Sequence, residues 1–352
     1  MKKLVLLSLL LGLVLTINAQ PKIWSVSKDA AQKTDYSEIQ AAVDAASPGD
    51  YIYVYPSVYE NGFTMGIPLI IVGPGYFLGD NPDTQINKSP ATVKGEISVG
   101  TSTSGTIITG LNIENTVTIQ STSNIIIKRN WIKSLQIKGS TGIQIKQNFI
   151  EGNSLTDQVT SRDGCGNQPV YAAIHIGANS SDINLLNNFI KNGDYGSACQ
   201  PSQRALHTVE TSYSLVKNNI IDGNLDGYNI SFENNILVAG IERGLNSSSY
   251  NNNIAYNTLF GTTNGNQPNI AITTVFVGST SNPSADGRWQ LKNGSPARAA
   301  GLNGVDCGIF GGSDPYVLSG IPDIPAIYFF EAPDGASTTN GLPVHVKIKS
   351  RQ

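Results

Sequence analysis

Histidines, arginines and carboxylates gather around two long interruptions in an otherwise regular chain. The interruptions span residues 151–171 and 191–205 and carry Asp157, Arg162, Asp163, Asp194 and Arg204. A similar phrase follows each one: Ile174-His175-Ile176 after the first and Leu206-His207-Thr208 after the second. Glu210 lies just beyond. Imidazole changes charge near neutral pH and can serve as acid or base, as can a carboxyl group. A guanidinium fork suits carboxylates. Tyr171, Tyr195 and Tyr213 offer flat amphipathic faces on which a ring could stack. These residue types suit acid–base chemistry, with His175, His207, Arg162, Arg204 and Asp163 as the catalytic candidates. Asp194, Glu210, Tyr171 and Tyr195 are the binding candidates. Loops without a role, and polar residues on an ordinary solvated face, would give the same list.

The elements that must position these groups are short. Runs at 106–113, 117–119, 125–128, 134–137, 143–146, 172–176, 183–186 and 214–217 are rich in Ile and Val and broken by Asn, Gly and Ser. A phrase recurs at their ends: Asn130-Trp-Ile, Asn148-Phe-Ile, Asn188-Phe-Ile, Asn219-Ile-Ile, Asn235-Ile-Leu and Asn257-Thr-Leu, at spacings of 18, 40, 31, 16 and 22 residues. A unit of roughly 16–22 residues holding short strands predicts a solenoid, with the two interruptions as inserted loops. An Asn at an equivalent corner can take a left-handed backbone and hydrogen-bond the next turn, so the Asn phrases read as scaffold. Period-2 alternation then points Ile174 and Leu206 inward and turns His175 and His207 outward. If the inserts align, the two histidines stack on adjacent turns.

One helix is expected, over residues 35–47. Ile39, Ala42, Val43 and Ala46 share a face, Asp35 and Glu38 resemble a capping box, and Pro48-Gly49 stops it. A strand follows, with Ile52 and Val54 on one side and Tyr51, Tyr53 and Tyr55 on the other. Near the other end, residues 342–349 alternate as one more strand.

The 352 residues include 36 Gly, 34 Asn and 38 Ile, and only 14% are charged. This excludes helical bundles and disorder and suits an all-β chain rich in turns. A net charge of -3 supplies no basic surface for nucleic acid. Lys2 and Lys3, the apolar run 4–17 and Ala19 read as a secretory signal peptide over residues 1–19, so the mature chain is expected to be exported, without a membrane span and monomeric. Of three cysteines, Cys165 and Cys199 fall in the inserts and are expected to pair if the loops lie side by side. Cys307 reads as a small buried residue. No Cys or His spacing demands a metal.

The stretch Ile39-Gln-Ala-Ala-Val-Asp-Ala-Ala-Ser-Pro-Gly-Asp-Tyr-Ile-Tyr-Val-Tyr-Pro-Ser-Val-Tyr59 resembles the opening of pectin-lyase-like right-handed parallel β-helix proteins. The Asn-Phe-Ile phrases resemble their repeat, and 304–312 (Gly-Val-Asp-Cys-Gly-Ile-Phe-Gly-Gly) resembles the closing segment of secreted members. The resemblance implies a single-stranded right-handed parallel β-helix over 20–312, plugged by the helix at 35–47, with 313–352 as a C-terminal capping tail. It also implies an extracellular polysaccharide as ligand, bound in an outer-sheet groove walled by 151–171 and 191–205, with lyase or hydrolase chemistry as the activity to test. It admits Ca2+ as cofactor, with Asp157, Asp163 and Asp194 as ligands by neighbourhood only. The paired Asp-Asp and the Gly-His-Gly of polygalacturonase-like members are missing. A non-catalytic structural or adhesive surface protein is the alternative.

Overall fold

A computed structural model describes residues 20–152, 154–155, 159–160, 167–168, 170–192, 202–209, 212–333, 335 and 341–349. The chain is mostly β. It alternates between two large sheets, a ten-stranded one and a sixteen-stranded one. Apart from Ser154–Leu155, which pairs antiparallel with Tyr171–Ala172, each described strand of these sheets lies parallel to its neighbour from an adjacent tier. Ile126–Lys128, for example, sits between Ile107–Thr109 and Thr141–Lys146. The arrangement is compatible with a β-helix solenoid. Between the sheets lies a continuous aliphatic interior. Ile108, Ile127, Ile145 and Leu185 come from one sheet, and Ile113, Ile132, Ile150 and Ile190 from the other.

Two adjacent residues build each corner of the stack. The first takes the left-handed conformation: Arg129, Gln147, Asn187, Asn218, Asn234 and Asn252 all have φ of 54–56°. The second is a buried Asn. Asn130, Asn148, Asn188, Asn219, Asn235, Asn253 and Asn266 form a ladder, and each backbone N–H donates to the next side-chain Oδ1 at 2.8–3.0 Å. Sequence reasoning gave both duties to one residue. The structure divides them, because an Asn aimed into the stack needs its predecessor to make the bend. The expected sixth member, Asn257, is replaced by Asn253; Asn257 instead donates to the Gly240 carbonyl.

After each ladder Asn the chain sends one side chain inward and one outward. The outward ones form the column Trp131, Phe149, Phe189, Ile220, Ile236 and Ile254, in register through the sixteen-stranded sheet. Phe149 and Phe189 stack at 4.4 Å. This second apolar cluster is covered by later chain, including Phe276, Trp289, Cys307, Ile309 and Tyr316. Apolar rings on an outer face need such a cover to leave water. Residues 313–327, read above as part of the capping tail, lie along the stack. Asp314 contacts Lys146 and Gln147, Ser319 donates its Oγ proton to the Phe77 carbonyl, and the Ile327 carbonyl accepts from the Ile86 N–H. Buried Asp286 joins these layers, accepting from Tyr316 and from Ser319 N–H while Tyr76 and Tyr316 share a hydroxyl contact of 2.7 Å.

The expected helix forms over Ile39–Ala45, and Ile39, Ala42 and Val43 join the main core. Its capping box does not form. Glu38 is the N-cap without a side-chain cap bond, and Asp35 accepts from Ser25 N–H and Oγ instead. Strand Tyr51–Val54 alternates as expected, with Ile52 and Val54 buried. His345–Lys349 pairs antiparallel with Ala326–Glu331 as an exposed hairpin. No helix among the described residues is long and apolar enough to cross a membrane.

Candidate functional site

Strands Val170–Ile176 and Ser202–Thr208 pair in parallel, with His175 directly opposite His207. Ile174, Ile176 and Leu206 enter the core, so both imidazoles leave the sheet on its outer side. The rings stack with centroids 5.2 Å apart and planes 11° apart. The alignment of the two interrupted turns is therefore the one that the sequence spacing suggested.

The exposure is not. His175 is 1% exposed and His207 2%. Period-2 alternation fixes which side of the sheet a residue leaves by, but it is silent on what lies above. Part of the crowding is visible beside His175. A Cβ at Gly177 would sit 3.0 Å from Lys138 Cγ and 3.3 Å from His175 Nε2. A solvated outer face is thus corrected to a buried polar column.

One tier further, the column supplies a residue that sequence reasoning missed. Asp226, on Leu225–Tyr228, lies in register with His207. Its Oδ2 stands 3.1 Å from His207 Nδ1 and 3.5 Å from Arg204 Nε. Asp226 is 5% exposed and Arg204 2%. The signal was available: Leu225-Asp226 repeats Leu206-His207 nineteen residues later, within the repeat unit. Gly227 and the lack of β-branched residues hid the strand. In the other direction the column continues through Gln136, Thr118 and Ser98.

The geometry sets the chemistry. A carboxylate facing Nδ1 holds that nitrogen as the proton donor, so Nε2 of His207 carries the lone pair. Nε2 is buried and has no hydrogen-bond partner among the described residues. Arg204 and Asp226 offset each other's charge, as buried ions must. An oriented imidazole beside a paired carboxylate can take up or give a proton, and its cationic form would attract an anion.

Tyr171 is half-buried at the start of the His175 strand, and its carbonyl accepts from Asn192 Nδ2. Tyr213 is 65% exposed and lies on the other sheet's side, beside Ser214–Lys217. Asp157, Arg162, Asp163, Asp194, Tyr195 and Glu210 lie outside the described residues, as do Cys165 and Cys199. Cys307 is buried, with Sγ 3.2 Å from the Asn252 carbonyl. Burial pushes its thiol up to about 12, and Asp306 adds to the effect. Among the described residues no group of three or more His, Cys, Asp or Glu could hold a metal ion. No family model matches the chain, and no curated protein matches it.

Proposed function

We propose that the chain is an exported right-handed parallel β-helix of the pectin-lyase-like kind that recognises an extracellular polysaccharide on the outer side of the sixteen-stranded sheet. The observation that carries this reading is the His207–Asp226 pair with Arg204 beside it. Buried polar groups of this type are costly unless paired, and they gather where proton transfer or charge recognition is needed. The set lies on the adjacent strands Ser202–Thr208 and Leu225–Tyr228, on the outer side of the sixteen-stranded sheet. Arg204 and a protonated His207 would favour sugar carboxylates. His207 Nε2 would serve as the base if a bond is broken, and Ca2+ stays a cofactor to test rather than a required part.

The near-complete burial of both imidazoles favours a second reading. In that reading the stacked pair fills space under a cover, and the protein is a non-catalytic structural or adhesive component. The two readings separate in one experiment. His175→Ala and His207→Ala are each assayed for glycan affinity and turnover, with the melting temperature as control. Recognition predicts weakened binding or turnover in variants that remain folded at the assay temperature. Unchanged binding in both variants discards it, and a lowered melting temperature with binding intact supports the structural reading.

A further inference from the structure

The outer face of the ten-stranded sheet holds a groove that the cluster above does not use. Its floor is made of two outward columns. One runs Ile23, Tyr51, Ile70 and Ile107 through successive strands, and the other runs Tyr53, Val72, Thr109 and Lys128. Four strands at ~4.8 Å separation give a floor roughly 14 Å long. One wall is the passing chain at Pro322, Asp323 and Ile324. A second cleft adjoins it through Tyr53, Val72, Pro322 and Ile324 and continues towards Tyr55 and Ile86. Their volumes are about 650 and 670 Å³. Several lining side chains are open to water: Ile23 is 57% exposed, Ile86 55% and Tyr55 42%.

We infer that this groove binds an uncharged stretch of polysaccharide, with Tyr51 and Tyr53 as its stacking platform; the inference rests on the glycan reading above and adds a second contact surface to it. Charge argues for a neutral occupant. The two charged side chains that line the groove, Lys128 and Asp323, are bound to each other, and Asp323 also holds Arg129. A charged polymer would have to compete with that network. Backbone pairing argues against an extended peptide. The floor strands from Tyr51 onward lie inside the ten-stranded sheet and pair on both sides, so strand addition has no free edge there. What remains is stacking on side-chain faces. The rings of Tyr51 and Tyr53 lie 6.4 Å apart and 31° from parallel. Burial, with Tyr51 adding to it, raises the Tyr53 hydroxyl above its usual range, so it stays a proton donor at neutral pH. A sugar ring has an apolar CH face for the phenol ring and hydroxyls for the phenol oxygen.

The test uses the full mature chain, the Tyr51→Ala/Tyr53→Ala double variant and His207→Ala. Each is titrated with xylan and a soluble β-glucan as neutral probes and polygalacturonate as the acidic probe. The expected result is about tenfold weaker neutral-glycan binding in the double variant, the combined worth of two stacking contacts. Its acidic-glycan binding and melting temperature stay unchanged, and His207→Ala keeps neutral binding. Neutral binding that survives the double variant but is lost in His207→Ala overturns the groove and leaves the proposed function standing. Acidic binding alone, insensitive to the tyrosines, does the same. Self-association of the native chain in sedimentation, abolished in the double variant, shows the groove to be a contact between copies and overturns the inference. No binding to any probe overturns both.

Discussion

Replacing Asn219 with Ala removes one rung from the middle of the ladder, and the cost can be worked from its bonds. The side-chain oxygen accepts from Asn188 N–H at 2.8 Å and from Asn188 Nδ2 at 3.1 Å. The amide nitrogen donates to the carbonyls of Leu185 and Lys217 at 2.8 and 3.0 Å and to Asn235 Oδ1 at 3.1 Å. Asn219 is 0% exposed, so water cannot replace it. Asn188 Nδ2 keeps the Ile145 carbonyl and Asn235 Oδ1 keeps Asn219 N–H, whereas Asn188 N–H loses its ladder acceptor. A buried orphan costs about 1–3 kcal/mol, and the two lost bonds to the Leu185 and Lys217 carbonyls are worth about 1 kcal/mol each, with nothing counted for the two partners that keep another bond. The sum expected for Asn219→Ala is about 3–5 kcal/mol. Asn184→Ala, an outer-face control whose side chain reaches only Asp182 at 2.9 Å, should stay within about 0.5 kcal/mol. Guanidinium unfolding followed by circular dichroism gives both values, with coincident fluorescence as the check on a single transition. A loss below about 1 kcal/mol for Asn219→Ala would refute the claim that the ladder holds the tiers together.

Phe189→Ala should cost about 3–5 kcal/mol, because the ring is sandwiched between Phe149 at 4.4 Å and Trp289 at 4.8 Å; the same unfolding assay reads it. Asp50 should contribute to acid sensitivity. Burial works to raise its pKa, yet the N–H groups of Ser47, Lys22 and Trp24 outweigh it and hold the carboxyl below its usual 3.8. Its stabilisation is therefore present above that value and lost as pH falls through the lower folded value, and Asp50→Asn should flatten the decline in unfolding midpoint below pH 4. Cys307 should resist a thiol reagent at pH 8 in the native chain and react once unfolded. If Cys165 and Cys199 are paired as their placement in the inserts suggests, the unfolded, unreduced protein titrates one thiol, and three would disprove the disulfide.

Much of the scaffold could be read from the sequence because repetition writes it there. The Asn phrases announced the ladder, and the aliphatic residue two places on, as in Ile150 and Ile190, announced the core. The outward partner in the same phrase, Phe149 or Phe189, gave no hint that residues 275–320 would cover it, because that cover comes from a distant part of the chain. The same limit explains the histidines. Their stacking followed from local alternation plus alignment of the two interrupted turns. Their burial depends on what crosses above, which no periodicity encodes. Asp226 is hidden for a different reason: its strand is weak in β-formers, so a position in register with His207 one tier on looks like turn. Tyr51, Tyr53 and Tyr55 were correctly turned outward, but a groove needs a wall, and Pro322–Ile324 provides it only in three dimensions.

The central claim is that the His207–Asp226–Arg204 cluster serves glycan recognition. Its most direct test is product analysis by mass spectrometry combined with affinity measurement. The mature protein and its Asp226→Asn variant are incubated with acidic and neutral polysaccharides, with and without Ca2+. The account predicts that an acidic glycan is retained or cut by the native chain and that Asp226→Asn weakens this at least about tenfold, the equivalent of one charge-assisted contact. Unsaturated fragments would assign a lyase, and water-added fragments a hydrolase. Neither binding nor fragments from any substrate, with both proteins folded, would contradict the claim and leave the stacked imidazoles as part of the scaffold.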